Sequence, residues 1–178
     1  MKFCSACGSA VSLRVPSGDD RHRHICDDCE TVHYQNPCII TGCVPVYGDR
    51  VLLCKRAIAP RHGYWTLPAG FMENGETTAE GALRECLEEA NARVVDPQLY
   101  TMVDIPHINQ VYIFFRATLA APEYSPGEES LAVELFREED IPWDEIAFPS
   151  VKQTLEHFFN DRKTGEFRVR TDSVRHRR

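Results

Sequence analysis

Apolar positions along the chain switch between two spacings, and the switch marks the elements. Ala79, Ala82, Leu83, Cys86, Leu87 and Ala90 recur at helical intervals. Thr77 followed by Glu80 has the spacing of a capping box, so a helix is expected to begin there. On another side of that helix Glu85, Glu88 and Glu89 stand at i, i+3 and i+4 and share one patch. Residues 39–47 and 51–56 are rich in β-formers on either side of Gly48, Asp49 and Arg50, which predicts a hairpin. Residues 64–69 read as a short strand that delivers the chain to Gly70, with Trp65 in the core. Residues 92–103 should hold a strand broken at Pro97. Residues 111–117 are the most strand-like run, and residues 122–127 a loop. Residues 131–137 alternate Leu131, Val133 and Leu135 against Ala132, Glu134 and Phe136. Residues 150–159 read as a second helix with Val151, Leu155, Phe158 and Phe159 on one side. Mixed strands with two helices give an α+β or α/β sandwich.

The acidic patch needs an explanation. Like charges one turn apart destabilise a helix by a few tenths of a kcal/mol, and the Glu80–Arg84 pair offsets only part of that. Three carboxylates on one patch make sense where a divalent cation sits on them. Oxygen ligands without His or Cys point to Mg²⁺ or Mn²⁺. Taken alone, the triplet also reads as a solvated acidic face.

The cysteines point to a second metal. Cys4 and Cys7, then Cys26 and Cys29, form two C-x2-C knuckles 18 residues apart. Four thiolates close a tetrahedral shell around Zn²⁺ and leave no open position, so the zinc is structural. Pro16, Ser17, Gly18 and Asp19 form a turn between the knuckles. His22, His24 and His33 are spare ligands that read as surface residues. Cys38, Cys43, Cys54 and Cys86 lie in apolar surroundings and read as small buried side chains. Free thiolates fit a reducing, cytoplasmic compartment. Tyr34, Gln35, Asn36 and Pro37 form a connector. The expected organisation is a zinc ribbon over 1–33, a main domain over 34–160, and a polar tail over 161–178 that reads as a frayed terminus.

Composition narrows the class of partner. The chain has 178 residues, 43% hydrophobic and 26% charged, which is ordinary for a globular protein. No apolar run approaches the roughly 20 residues of a membrane span, and the N-terminus lacks the apolar core of a secretory signal. A net charge of −7 argues against nucleic acid held by a basic surface. Arg14, Arg21 and Arg23 of the ribbon are the support for that reading. An acidic protein still binds phosphates where metal ions mediate.

The residues around the acidic helix carry a resemblance. Gly70, Glu76, Arg84, Glu85, Cys86, Glu88, Glu89 and Ala92 fit the pattern G-x5-E-x7-R-E-U-x-E-E-x-G-U, with U apolar. Six fixed matches arise by chance on the order of once in 10⁵ chains of this length at average residue usage. Asn91 replaces the second glycine, at a position that should need a positive φ, and Asn is the usual substitute there. The chain therefore resembles the Nudix hydrolases, which cleave a nucleoside diphosphate linked to another moiety. The resemblance implies an α/β/α sandwich with a mixed sheet behind a small N-terminal zinc ribbon. It implies that Glu85, Glu88 and Glu89, with the Gly70 carbonyl, hold Mg²⁺ or Mn²⁺, and that Glu76 and Arg84 support them. Relatives of this kind are often homodimers, which extends to this chain by analogy alone.

Two groups of Nudix proteins carry a zinc ribbon in front. The NADH pyrophosphatases have an S-Q-P-W-P-F-P segment shortly after the box, and residues 101–110 here are nothing like it. The likeness to the plant chloroplast FAD/ADP-ribose pyrophosphatase and its bacterial relatives covers nearly the whole chain. It includes Y-Q-N-P at 34–37, L-L-C-K-R at 52–56, H-G-Y-W-T-L-P-A-G at 62–70, D-I-P at 104–106 and E-S-L at 129–131. The resemblance thus favours FAD or ADP-ribose as substrate, releasing AMP with FMN or ribose 5-phosphate, and leaves NADH or another dinucleotide as the alternative. Outside the box, related hydrolases place a carboxylate where Glu129 stands. It is a candidate general base or further metal ligand, with Glu128 beside it and a solvated loop charge as the plain reading. Arg56 is a candidate phosphate ligand or a structural ion pair. Phe71 and Tyr112 are candidates for stacking on a base or flavin, or for core packing.

Overall fold

The computed structural model describes residues 1–175. Backbone contacts divide the chain into two units, Met1–Pro37 and Cys38–Arg178. The break falls after the proline that interrupts both hydrophobic periodicities.

The first unit is a three-stranded antiparallel sheet of β1 (Val11–Arg14), β2 (Arg23–Cys26) and β3 (Val32–His33). Asp19 shapes the loop between β1 and β2. Its N–H donates to the Pro16 carbonyl, and its carboxylate accepts from the N–H groups of Asp20 and Arg21 and from Arg23 Nε. Each ribbon arginine faces an aspartate: Arg14 with Asp27, Arg21 with Asp20, Arg23 with Asp19. The basic surface that could have favoured nucleic acid is locally neutralised.

The second unit contains β4 (Cys38–Tyr47), β5 (Arg50–Arg56), β6 (Trp65–Thr66), β7 (Ala69–Phe71), α1 (Thr78–Ala90), β8 (Val94–Ile105), β9 (Gln110–Leu119), β10 (Ser130–Phe136), α2 (Pro149–Thr164) and β11 (Arg170–Ser173). The sheet runs β10-β5-β4-β9-β8-β11, with β6 added beside β5 and β7 beside β4. The β4–β9 and β8–β11 pairs are parallel and the others antiparallel, so the sheet is mixed as expected. Both sheet faces are covered. Leu52 and Cys54 join Cys43, Ala82 and Cys86 under α1. Val51 and Leu53 join Val44, Phe114, Leu155 and Phe158 under α2. The alternation along β5 puts successive side chains into two different cores, giving the α/β/α sandwich.

Helix α1 begins as its spacing predicts. The Glu80 N–H donates to Thr77 Oγ1 at 3.2 Å, and the Thr77 N–H donates back to Glu80 Oε2 at 2.8 Å. It ends on Asn91 at φ 47°, whose N–H reaches the Cys86 and Leu87 carbonyls.

Several expectations are corrected. The strand after α1 does not break at Pro97. It continues to Ile105 and absorbs the proline in a register shift between Val95 and Gln98, with Asp96 at φ 52°. Leu87 and Leu131 are exposed, because the helix and strand turn those positions away from both cores. Cys38 is also exposed, at the first residue of β4, whereas Cys43, Cys54 and Cys86 are buried. The polar stretch from Asp161 is not frayed over its described part. Helix α2 continues to Thr164 and stops on Gly165 at φ 76°, and β11 then pairs with β8. Its contacts are polar: buried Asp161 takes the Arg170 guanidinium and the Tyr100 hydroxyl. A hydrophobic pattern carries no trace of such pairing. Residues 176–178 of the expected tail lie outside the described residues.

Candidate active site

Strand β7 pairs with β4, setting Thr41 opposite Gly70, and this lays the Gly70 backbone against α1. A Cβ at Gly70 would collide with both carboxylate oxygens of Glu85. A side chain here would displace the Glu85 carboxylate, so glycine is what leaves that carboxylate in its place. One residue earlier, the Ala69 N–H donates to Glu89 Oε2 at 3.3 Å.

Arg84 organises the other carboxylates. Its Nε and Nη2 grip Glu76 as a fork at 3.0 and 2.7 Å. Its Nη1 donates to Glu85 Oε1 at 2.7 Å and to Glu88 Oε2 at 2.9 Å, and Nη2 also reaches the Phe71 carbonyl at 3.1 Å. That fork and the Glu73 N–H hold the Glu76 carboxyl down to about 2. Glu76 thus stays ionised and fixes Arg84, and Arg84 fixes the orientation of Glu85 and Glu88.

Burial acts in the opposite sense on the inner pair. Glu85 and Glu89 are each 8% exposed. Burial, together with the charges of Glu85 and Glu129, pushes the Glu89 carboxyl up to about 8. Burial also raises Glu85. Carboxylates held this way favour either a proton or a cation.

The loop before β10 brings a further carboxylate. The Ser125 N–H donates to the Ala90 carbonyl and the Gly127 N–H to the Glu89 carbonyl, so the loop lies along the end of α1. A Cβ at Gly127 would overlap the Glu88 carbonyl. Glu128 and Glu129 follow at once. The Glu129 carbonyl accepts from the Ala57 N–H at 2.8 Å, at the end of β5.

These groups share one cavity of about 1070 Å³. Its acidic wall carries Gly70, Glu85, Glu88, Glu89, Glu128 and Glu129, with Arg84 among them. Arg56, Phe71 and Tyr112 line it too. Arg56 Nε donates to the Pro60 carbonyl at 2.9 Å, and its guanidinium lies 5.1 Å from the Phe148 ring centre; among the described residues no carboxylate pairs with it. Phe71 is 57% exposed and open to a ligand. Tyr112 is half-buried and stacks on Phe114 at 6.0 Å, so it serves core and cavity together. The expectation that Trp65 belongs to the core holds.

The cavity also includes Arg61, Ile105, Phe148, Val174 and Arg175, which sequence reasoning did not single out. They come from loops and strand ends far apart in the chain, and no spacing links them. The segment without the S-Q-P-W-P-F-P motif supplies Ile105, His107, Ile108 and Gln110 to the same cavity.

In the ribbon, one Sγ from each of Cys4, Cys7, Cys26 and Cys29 lies within 4.8 Å of the others. The Cys4–Cys29 and Cys7–Cys26 distances are 3.7 and 3.4 Å. A tetrahedron with Zn–S bonds of about 2.3 Å has edges of about 3.8 Å, so the quartet fits zinc. The Thr31 hydroxyl helps to hold the Cys29 thiol down to about 6. His33 is closer than a surface histidine would be, with Nε2 3.3 Å from Cys4 Sγ. Among the described residues, no second group of three such side chains converges as tightly. The glutamates line a cleft and do not close on a point.

Comparison with known proteins agrees with this geometry. Residues 2–35 match the Nudix N-terminal zinc-ribbon family, and residues 37–167 match the NUDIX domain. A crystal structure of a NUDIX hydrolase from Nitrosomonas europaea is 53% identical, with a TM-score of 0.95, and covers 98% of this chain and 99% of that one. The NAD-capped RNA hydrolase NudC of Photobacterium profundum is 31% identical over 134 residues, 73% of this chain and 47% of that protein. NudC of Vibrio vulnificus is 29% identical over 171 residues, 90% of this chain and 62% of that protein. The chain spans about half the length of the curated relatives it matches. Those named relatives are NAD-capped RNA hydrolases, so the likeness does not single out the FAD/ADP-ribose group. An ADP-ribose pyrophosphatase from Streptococcus suis, 19% identical with a TM-score of 0.61 over 78% of this chain and all of that one, shares the fold. With the domain match spanning most of the chain and the ribbon match most of the remainder, this protein belongs to the Nudix hydrolase family and carries the family's N-terminal zinc ribbon.

Proposed function

We propose that the chain is a metal-dependent pyrophosphatase acting on a nucleoside diphosphate joined to a second moiety. The observation that carries this reading is the shared cavity. Four carboxylates, from Glu85, Glu88, Glu89 and Glu129, face the same space as the Arg56 guanidinium and the Phe71 and Tyr112 rings. A diphosphate needs charge neutralisation and an activated water, and a bound Mg²⁺ or Mn²⁺ supplies both. Glu85, Glu88, Glu89 and the Gly70 carbonyl are the groups that would hold the cation. Their oxygen-only chemistry suits a hard ion, and burial, with the charge of Glu85 beside it, pushes Glu89 up to about 8, a cost that a cation would relieve. Arg84 orients Glu85 and Glu88. Glu129 takes the proton of the attacking water or adds a ligand, Arg56 binds a phosphate oxygen, and Phe71 and Tyr112 stack on the base or on its partner.

For the substrate, we favour FAD or ADP-ribose, cleaved to AMP with FMN or ribose 5-phosphate. Support comes from Ile105, His107, Ile108 and Gln110, which line the cavity and lie in the 101–110 stretch that departs from the NADH-pyrophosphatase pattern. A second reading, an NAD(H) or NAD-capped substrate, is favoured by the NudC relatives. The test is AMP release from FAD, ADP-ribose and NADH, with and without Mg²⁺ or Mn²⁺. Faster release from FAD or ADP-ribose supports the first reading, and faster release from NADH replaces it with the second. No AMP from any of the three with either metal would remove the activity altogether.

A further inference from the structure

Past residue 167 the chain leaves the span that matches the NUDIX domain, yet it is firmly fastened. Strand β11 is Arg-Thr-Asp-Ser, and none of its residues is buried. It pairs in parallel with β8 from Arg170 opposite Thr101 to Ser173 opposite Asp104, and the Val174 N–H continues the ladder to the Asp104 carbonyl at 2.9 Å. Two side-chain contacts tie it to α2. Asp161, buried in the last turn, takes the Arg170 guanidinium on both oxygens, with the Tyr100 hydroxyl on one of them. His157 Nε2 meets Asp172 Oδ2 at 3.0 Å. A polar four-residue strand removes little apolar surface from water, so hydrophobic burial does not account for this fastening. Its result is positional: the next two residues, Val174 and Arg175, form part of the cavity wall that also holds the glutamates.

The cations of that cavity are not equivalent. Arg84 is spent on Glu76, Glu85, Glu88 and the Phe71 carbonyl. Arg56 is held by the Pro60 carbonyl and Phe148, and Arg61 lies 5.4 Å from the Tyr64 ring centre. Arg175 is exposed and has no partner among the described residues. A guanidinium on an anchored backbone, facing a nucleotide-sized cavity without a carboxylate of its own, is suited to a phosphate. We infer that Arg175 is a substrate-binding residue that contacts a phosphate group of the nucleotide, and that β11 exists to position it. The inference rests on the reading of the cavity as a nucleotide site.

The experiment measures ADP binding by calorimetry in buffer free of Mg²⁺ and Mn²⁺ and without chelator, so that the ribbon keeps its zinc, no catalytic cation contributes and no hydrolysis is needed. Arg175→Ala should weaken ADP about tenfold, the usual effect of losing a charge-assisted hydrogen bond. Arg175→Lys should recover part of the loss, and Asp172→Ala, which frees β11 from His157, should weaken ADP in the same direction. With whichever dinucleotide is turned over, Arg175→Ala should raise KM by more than it lowers kcat. Unchanged ADP affinity in Arg175→Ala, or no ADP binding by the unaltered protein, overturns the contact. Unchanged affinity in Asp172→Ala overturns the positioning role of β11. A protein that binds ADP through Arg175 but releases no AMP with either metal would sink the hydrolase reading and leave this one standing.

Discussion

The side-chain amide of Asn91 donates to the Ser125 carbonyl at 3.2 Å, across 34 residues of chain. The same nitrogen reaches the Pro126 carbonyl, also at 3.2 Å. Asn91 is the one fixed position where the box departs from its pattern, and the departure has a use. A glycine there would end α1 equally well, because the backbone is at φ 47°. It would leave the loop that leads through Gly127 to Glu129 tied to the helix end by its backbone bonds from Ser125 and Gly127 alone.

Replacing Asn91 with Gly should therefore leave the helix end intact and loosen the loop. Two hydrogen bonds worth about 1 kcal/mol each are lost. The expected result is a fall in kcat of about tenfold and a fall in melting temperature of roughly 4–8 °C. Turnover at the unaltered level would show that the tether does not position Glu129.

Glu89 makes the stability of the metal-free protein depend on pH. Its carboxyl titrates at about 8 in the folded state, against 4.5 as the ordinary value, because it is buried near Glu85 and Glu129. The folded state therefore keeps a proton that the unfolded chain releases. The sign follows: the contribution is intact below about pH 4.5, is lost as pH rises towards 8, and is flat above. The loss is on the order of a few kcal/mol. Without added Mg²⁺ or Mn²⁺, and with the ribbon's zinc retained, Glu89→Gln should flatten the fall in melting temperature between pH 5 and 8. In the unaltered protein Mn²⁺ should raise melting temperature more at pH 8 than at pH 6, and Glu89→Gln should lower turnover by orders of magnitude. Parallel metal-free profiles for the two proteins would contradict the assignment.

The ribbon offers an independent measurement. Cys26 is fully buried and belongs to the quartet of thiols. Cys26→Ser should lose bound zinc and unfold the first unit, since metal binding and folding are linked in such small modules. Zinc content by emission spectroscopy and protease resistance of the ribbon would report it. Full zinc content with unchanged resistance would refute a structural role.

What could be read in advance was local. The capping box at Thr77 and Glu80, the three glutamates within five residues, and the two cysteine knuckles all depend on neighbours a few positions apart, and helix and turn geometry convert such spacings directly into shared faces and corners. The asparagine at the helix end was readable for the same reason, since φ at one residue is a local demand. Its grip on Ser125 was not, because nothing at position 91 records which loop will pass.

Tertiary structure decided the rest. The pairing of β7 with β4 put Gly70 against Glu85, and the parallel pairing of β11 with β8 carried Arg175 to the cavity. The stretch from Asp161 closes α2 and adds the fastened strand Arg170–Ser173, because Asp161, Arg170 and Tyr100 satisfy one another. Sequence alone settled which side chains were available and how each helix or knuckle presents them. Which of them meet was set by long-range strand pairing and polar pairing, whose partners leave no periodic mark on the chain.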